Sequence, residues 1–257
     1  MAAAVIEPDA VRESIGEVRR VFPIASVTKP LVAYAVLIAV EEGAIELDEP
    51  AGPQGSTVRH LLAHAAGYGF ESDAEAVAAP GTRRVYSNRG FEVLGVHLER
   101  ATGIPIGVYV SEAVFEPLRM ARTTLDGSPA YATRSTVEDL SLFAGELLSP
   151  RLLSASSAAQ LRAVQFPGLI GVLPGIGRFE PLDWGLGVER NFGRPGHWAG
   201  ERVSKDTFGH FGGAGTFLWV DPQQQRACVC LTDLRFGPWA LQAWPPLCDT
   251  VVDLPGR

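Results

Sequence analysis

The chain has 257 residues, enough to bury a sizeable core in one large domain or two interlocked lobes. Hydrophobic and charged fractions of 46% and 20% are those of an ordinary globular protein, and a formal net charge of −7 argues against broad binding to nucleic acid or anionic membranes. Three cysteines, an odd count, together with an opening segment that lacks a basic stretch followed by a long apolar run, predict reduced structural thiols and a cytoplasmic protein without a signal peptide.

Taken in order, "AAAVIE" and "GEVRRVFPI" predict two short strands joined by a turn. Residues 26–42 predict a helix that is apolar nearly all round, hence buried, with Gly43 as its stop. Its run "PLVAYAVLIAV" is too short to span a bilayer. "STVRHLLAHAAG" predicts a short helix capped by Ser56 or Thr57. A turn-rich segment, "APGTRRVYSNRG", precedes an amphipathic helix over "FEVLGVHLERATG", and "PIGVYVSEAVFEPL" continues the helical pattern. "STVEDLSLFAGELL" predicts another helix, capped by Ser135 or Thr136 with acidic residues in its first turn.

From about Asp183 the character changes. "WGLGVE", "GTFLWVDP" and "RACVCLTDL" are aromatic and β-branched runs that predict strands, with "DPQQQR" as the turn between the last two. Cys228 and Cys230 alternate with Val229, so both should face one side as small core residues. "PWALQAWPPLCDTVVDL" predicts a closing helix. This order implies an α/β (α+β) fold in which a sheet is assembled from both chain ends around a helical insert. The expected division is residues 1–54 with 180–257 as the sheet lobe and 55–179 as the mainly helical lobe. With no flexible linker between them, the two form a single domain with a shared interface.

Only two lysines, Lys29 and Lys205, stand against twenty arginines. Lys29 lies three residues after Ser26 at the mouth of the buried helix, which puts a hydroxyl and an amine on one helical face. A serine hydroxyl is a weak nucleophile until a base takes its proton, and a lysine whose pKa is lowered can be that base whereas arginine cannot. Two further motifs follow: Tyr86-Ser87-Asn88 on a turn before a helix, and "GHFGGAGT", running from Gly209 into a strand. Each alone is weak; in this order and context they become specific. His60 and His64 are spaced like zinc ligands, but no glutamate follows His60, so both are read as structural. The G-x-S-x-G pattern is absent, which argues against an α/β-hydrolase elbow.

With these three motifs the chain resembles the serine β-lactamase and penicillin-binding-protein superfamily, and most of all its class C β-lactamase-like branch of esterases, D-amino-acid peptidases and transesterases. "FPIASVTKPLVAYAVLIAVEEGAIELDEP", "TVRHLLAHAAG", "PGTRRVYSNRGFEVLG" and "GHFGGAGTFLWVDP" carry the likeness over nearly the whole chain. The resemblance implies the β-lactamase/transpeptidase-like fold and no cofactor or metal. It implies Ser26 as the acylated nucleophile, Lys29 as its base and Tyr86 as a second proton carrier, whose phenolate a cationic Lys29 would favour. Asn88 would orient the Lys29 amine or a substrate amide. The backbone N–H groups of Ser26 and Gly213 would form the oxyanion hole, beside His210 and Gly212 of the third motif.

That third motif departs from the usual K-T-G: His210-Phe211-Gly212 supplies no fixed positive charge for a β-lactam carboxylate. The chain is also short for the branch, and its trimmed loops imply a more open cleft, although "FPGLIGVLPGIGRFEP" could fold back as an apolar wall. The expectation is a metal-independent serine hydrolase acting on a small acyl substrate, an esterase first. Behind it stand a D-amino-acid peptidase or amidase, a weak β-lactamase, a biosynthetic acyltransferase and a non-catalytic binding homologue. Oligomeric state is open.

Overall fold

In the computed structural model, residues 1–8, 10–71, 76–191 and 193–255 are described. The chain opens with a hairpin of β1 (Ala2–Glu7) and β2 (Ala10–Ile15), then β3 (Phe22–Pro23) and a 3₁₀ turn over Ala25–Val27 that runs into α1 (Thr28–Glu41). α2 (Val58–Leu62), β4 (Arg84–Val85), α3 (Asn88–Thr102) and α4 (Ile106–Val110) follow, the last continuing as a π turn over Ser111–Phe115. Next come β5 (Thr124–Leu125), β6 (Thr133–Ser135), α5 (Val137–Leu148) and α6 (Ala155–Arg162). β7 (Gly171–Leu173), β8 (Gly177–Phe179), β9 (Glu189–Arg190), β10 (Phe208–Gly212), β11 (Thr216–Asp221), β12 (Arg226–Leu231) and α7 (Pro238–Asp253) complete the chain.

Six strands form an antiparallel sheet in the order β2-β1-β12-β11-β10-β9, so the two ends of the chain do meet in one sheet. Alternation along its strands sorts side chains between two cores. Ala2, Ala4, Ile6, Leu218, Val220, Val229 and Leu231 join the core that contains α1 and α5. Ala3, Val5, Phe217, Trp219, Cys228 and Cys230 face Trp244 and Cys248 of α7 instead. The two strand cysteines thus share a face, as their spacing predicts, and all three thiols are free and buried.

Three expectations need correction. The second strand of the hairpin is "AVRESI", not "GEVRRVFPI": it is an exposed edge strand, and Gly16, at φ 74°, turns the chain out of it. Of the expected run only Phe22–Pro23 pairs, and it pairs with β6 in a separate small sheet. "WGLGVE" is mostly a turn, because Gly187 sits at φ 75° where a Cβ would lie 2.4 Å from the Ala33 Cβ, leaving only Glu189–Arg190 to pair with β10. Finally α5, placed by sequence in the helical lobe, packs on β1, β11 and β12 through Val137, Leu140 and Ala144. The sheet lobe therefore includes a helix from inside residues 55–179. α6, β7 and β8 had no counterpart in the sequence reading.

The turn ahead of α1 is held from three sides. The Ile24 N–H donates to the Thr133 carbonyl (3.1 Å), Thr216 Oγ1 donates to the Ile24 carbonyl (2.8 Å), and the Thr133 N–H donates to Thr28 Oγ1 (3.2 Å). Those fixings hold Ala25 at φ 47°, a left-handed conformation that costs a non-glycine residue about 1–3 kcal/mol. β10 approaches this turn so closely that a Cβ on Gly212 would lie 2.4 Å from the Ile24 oxygen and 2.5 Å from Thr216 Oγ1, whereas Gly213 faces open space. Gly212→Ala should therefore lower the thermal unfolding midpoint by several degrees, in line with the roughly 1–3 kcal/mol of overpacking, while Gly213→Ala leaves it unchanged. Calorimetry that finds the two variants equally stable would dissociate Gly212 from the turn.

Candidate active site

Ser26 sits in the strained turn, half-buried, with Lys29 one turn on at the start of α1. α1 is apolar on every side, so Lys29 is fully buried among Leu31, Val32, Ala33 and Tyr34 and their neighbours. Its Nζ lies 2.9 Å from Asn88 Oδ1, 2.9 Å from the Ala130 carbonyl and 3.3 Å from Ser26 Oγ. It also stands 4.8 Å from the centroid of the Tyr86 ring and 5.5 Å from that of Phe91. Burial pushes this amine well below the usual lysine range, and the negative charge of Glu92 only partly opposes it.

Asn88 Oδ1 and the Ala130 carbonyl can only accept from this amine, whereas the Ser26 hydroxyl can accept from it or donate to it. Of the three contacts, Ser26 is therefore the one able to meet a lone pair on Nζ once burial has displaced its proton.

The second motif is positioned by a helix cap. Ser87 is the N-cap of α3: its Oγ accepts from the Gly90 N–H (3.0 Å) and donates to the Gly69 carbonyl (2.6 Å). Capping by the middle residue places Asn88 in the first turn beside Lys29 and Tyr86 just outside the helix. Upstream, β4 is fixed by Arg84, buried with its guanidinium donating to the carbonyls of Leu182, Ala63, Gln165 and Phe166. Burial without a bound carboxylate lowers that guanidinium to about 10.

Tyr86 is buried, with its hydroxyl in hydrogen-bonding reach of Ser26 and 3.4 Å from His210 Nε2. Desolvation raises this phenol above the ordinary tyrosine range, and the Ser26 contact offsets that only in part. Burial thus works against the charged form of both groups, the Lys29 ammonium and the Tyr86 phenolate that the resemblance implies.

His210 also takes a different part from the one read in sequence. Its Nδ1 lies 2.6 Å from the Phe211 carbonyl, which can only accept, so Nδ1 carries the ring proton. Nε2 is then a lone pair, and the Tyr86 hydroxyl is the donor across the 3.4 Å contact. The ring is buried, edge-on to Trp184 at 5.3 Å, and held at about 3, chiefly by burial, so it stays neutral. Both nitrogens have partners within the protein, and His210 faces Tyr86. Lys205, the other lysine, lies over Gly193.

Two neighbours escaped the sequence reading, and a third, His64, was read there only as structural. Glu189 is a buried carboxylate accepting from Trp198 Nε1 and Arg194 Nη2, both at 2.7 Å, and held at about 2; its charge favours the protonated phenol of Tyr86. The Ala130 carbonyl contributes backbone chemistry that no motif reveals. His64 accepts the Ser87 N–H at Nδ1 (3.2 Å) and stacks 4.4 Å from Tyr86, so it buttresses the second motif. His60 instead stacks on Phe166 at 4.2 Å and faces Thr57 Oγ1, so the two histidines do not converge on one ligand position. Gly212 backs the nucleophile turn, and Gly213 is exposed beside it.

Known proteins share this arrangement of elements. A solved structure from Mycobacterium bovis, described as a β-lactamase, is 55% identical and superposes with a TM-score of 0.96, covering 98% of this chain and 93% of that one. A penicillin-binding-protein homologue from Pyrococcus abyssi is 19% identical with a TM-score of 0.74, over 94% of this chain and 72% of its own, a likeness of fold alone. Among curated proteins, esterase EstB of Burkholderia gladioli is 33% identical over 38% of this chain and 37% of the esterase. This chain spans less than half the length of the first curated relatives it matches. No helix among the described residues is long and apolar enough to cross a membrane. The family model for β-lactamases runs over residues 2–246, from the first strand of the central sheet into the last helix, and the chain belongs to the β-lactamase family.

Proposed function

We propose that the protein is a serine hydrolase working through an acyl-Ser26 intermediate, and that its substrates are uncharged esters of small or medium acyl groups. The observation that carries this reading is the amine of a buried Lys29, its charged form disfavoured by burial, 3.3 Å from the Ser26 hydroxyl. As Ser26 Oγ bonds to the ester carbonyl carbon, its proton passes to Lys29 Nζ. When the carbon–oxygen bond to the leaving alcohol breaks, Tyr86 gives that oxygen its proton, and Lys29 returns a proton to the phenolate. Water then repeats the sequence in reverse, losing its proton through Tyr86 and Lys29 and leaving an acid and a free Ser26. The N–H groups of Ser26 and Gly213 are the candidate oxyanion donors, where loss of one donor typically costs about 2.7–4 kcal/mol of barrier.

The choice of an uncharged ester rests on the third motif. Neutral His210 and anionic Glu189 surround Tyr86, an unfavourable setting for a carboxylate placed where a K-T-G lysine would hold it. β-Lactam hydrolysis is the second reading, favoured by the description of the 55% identical relative as a β-lactamase. Intact-protein mass spectrometry after exposure to p-nitrophenyl esters, nitrocefin and D-alanyl amides separates the readings: esters should acylate and turn over fastest. Adduct formation that survives in Ser26→Ala would remove Ser26 from the chemistry.

Lys29→Ala and Tyr86→Phe should each lower kcat by roughly 10²–10⁴, the usual contribution of a positioned proton carrier, with KM little changed. An unaltered kcat in Tyr86→Phe would take the phenol out of the reaction.

The pH profile follows from the two displaced groups. Lys29 acts only as the free amine, so kcat/KM on an uncharged ester should climb with pH through a group well below the usual lysine value of about 10.4. Tyr86 acts as the phenol and is raised, so activity should hold past about pH 10, the ordinary range of tyrosine. An ascending limb centred near 10 would show Lys29 to be an ordinary, charged lysine.

A further inference from the structure

We infer that His64 is a positioning residue of the reaction: its ring nitrogen and its carbonyl clamp the chain on both sides of Tyr86 and so aim the phenolic hydroxyl at Ser26. The inference rests on the serine-hydrolase reading and adds to it a residue that sequence suggests only as structural. His64 lies just past the end of α2. The Val85 N–H donates to its main-chain carbonyl (2.9 Å), and the Ser87 N–H donates to its Nδ1 (3.2 Å). Tyr86 is the residue between those two donors. The His64 ring also lies 4.4 Å from the Tyr86 ring, 5.4 Å from Phe91 and, edge to face, 4.7 Å from Trp184. The backbone before Tyr86, the backbone after it and its ring are thus all held by one residue. That leaves the phenol little freedom to swing away from Ser26 and His210 Nε2.

Two features set His64 apart from a residue that only fills space. It adopts φ 54°, in the left-handed region that a non-glycine residue occupies only where its surroundings impose it. Here they do. The carbonyls of Leu62, Ala63, His64 and Ala65 accept in turn from the Gly187 N–H (3.0 Å), Arg84 Nη1 (2.5 Å), the Val85 N–H (2.9 Å) and the Gly81 N–H (2.8 Å). The second feature is polar. Because Nδ1 accepts from a backbone N–H, the ring proton sits on Nε2, and this buried N–H has no hydrogen-bond partner among the described residues. Burial holds the ring well below the usual histidine range, so Nδ1 stays an acceptor. An apolar side chain of similar size would fill the same space without burying an unpartnered donor. It could not accept from Ser87, whose N–H, at the N-cap of α3, lies outside the hydrogen bonds of that helix. The lone pair on Nδ1 is therefore what the imidazole contributes here beyond packing.

Two substitutions separate the lone pair from the ring. His64→Asn carries a carbonyl oxygen on Cγ, where histidine carries Nδ1, and asparagine tolerates positive φ, so the bond to Ser87 is kept and the ring is lost. His64→Phe keeps a ring and loses the acceptor. With a p-nitrophenyl ester and the full chain, His64→Phe should lower kcat about 10²-fold with KM little changed, the cost of misplacing a reacting group by an ångström. His64→Asn should keep kcat within about tenfold of the parent, because its acceptor still holds Ser87. Introduced into Tyr86→Phe, the His64→Phe change should cost less than about threefold more, since its effect passes through the phenolic hydroxyl. Parent-like kcat in His64→Phe, a loss in His64→Asn that matches His64→Phe, or a loss repeated in full on Tyr86→Phe would overturn the assignment. Should calorimetry show that His64→Phe does not fold, His64→Asn decides alone: kcat within about tenfold of the parent supports the clamp, and any larger loss, unfolding included, overturns it. A parent whose Ser26 is not acylated by the ester would overturn the hydrolase reading itself, and this inference with it.

Discussion

Everything at the centre of this fold is arranged around the buried amine of Lys29. A lysine carried into the apolar interior of α1 loses its hydration, and the charged form loses far more than the neutral one, so burial lowers its pKa. Asn88 Oδ1, the Ala130 carbonyl and the Ser26 hydroxyl are the polar atoms that replace that hydration. Three distant parts of the chain therefore set the position of one nitrogen: α1 brings the amine, the Ser87 cap brings Asn88, and the segment before β6 brings Ala130. The left-handed Ala25, the Thr216 bond to Ile24 and the tight passage of Gly212 hold Ser26 beside it. Moving any of these by an ångström would realign the amine against the hydroxyl.

The second proton position follows the same logic with opposite sign. Tyr86 is buried, so its phenol resists ionisation, and the neighbours that a cation-rich site would supply are replaced by a neutral histidine and a buried carboxylate. The tautomer of His210 is fixed by a bond to its own strand, the 2.6 Å contact with the Phe211 carbonyl, so it can only accept from Tyr86. The phenolic hydroxyl therefore stands between Ser26 Oγ, which can accept or donate, and His210 Nε2, which can only accept. The exchange of the lysine of K-T-G for histidine thus removes a fixed positive charge from the neighbourhood of Tyr86.

Sequence carried the parts of this picture that are local. Ser26 and Lys29 are one helical turn apart, Y-S-N reads as a turn before a helix, α1 reads as buried from its unbroken apolar surface, and the alternation around Val229 gives the facing of Cys228 and Cys230. The parts that failed depend on contacts far apart in the chain. The facing of His210 is set by Tyr86, 124 residues away, and by a carbonyl of its own backbone, so residue type alone suggested a substrate contact. Ala130 acts through its backbone and has no side-chain signature. Glu189 looked like the end of a strand because its partners, Arg194 and Trp198, lie in an irregular loop. The second strand was misplaced because "AVRESI" is an exposed edge with no apolar alternation, and α5 was put in the wrong layer because amphipathicity reports that a helix has a buried face, not which surface covers it.

The same division explains how one scaffold can serve different substrates. The proton machinery is built from the interior outward: buried amine, capped helix, strained turn, close-packed glycine. The walls beside Tyr86 belong to a different structural class: β7 and β8 are a short pair of strands attached to the core through β4 and the carbonyls that hold Arg84. Changes there leave the contacts of Lys29 in place, whereas changes in α1 or β10 would disturb them. Family membership thus constrains the nucleophile and its bases far more tightly than it constrains the substrate, and the substrate has to be read from the walls.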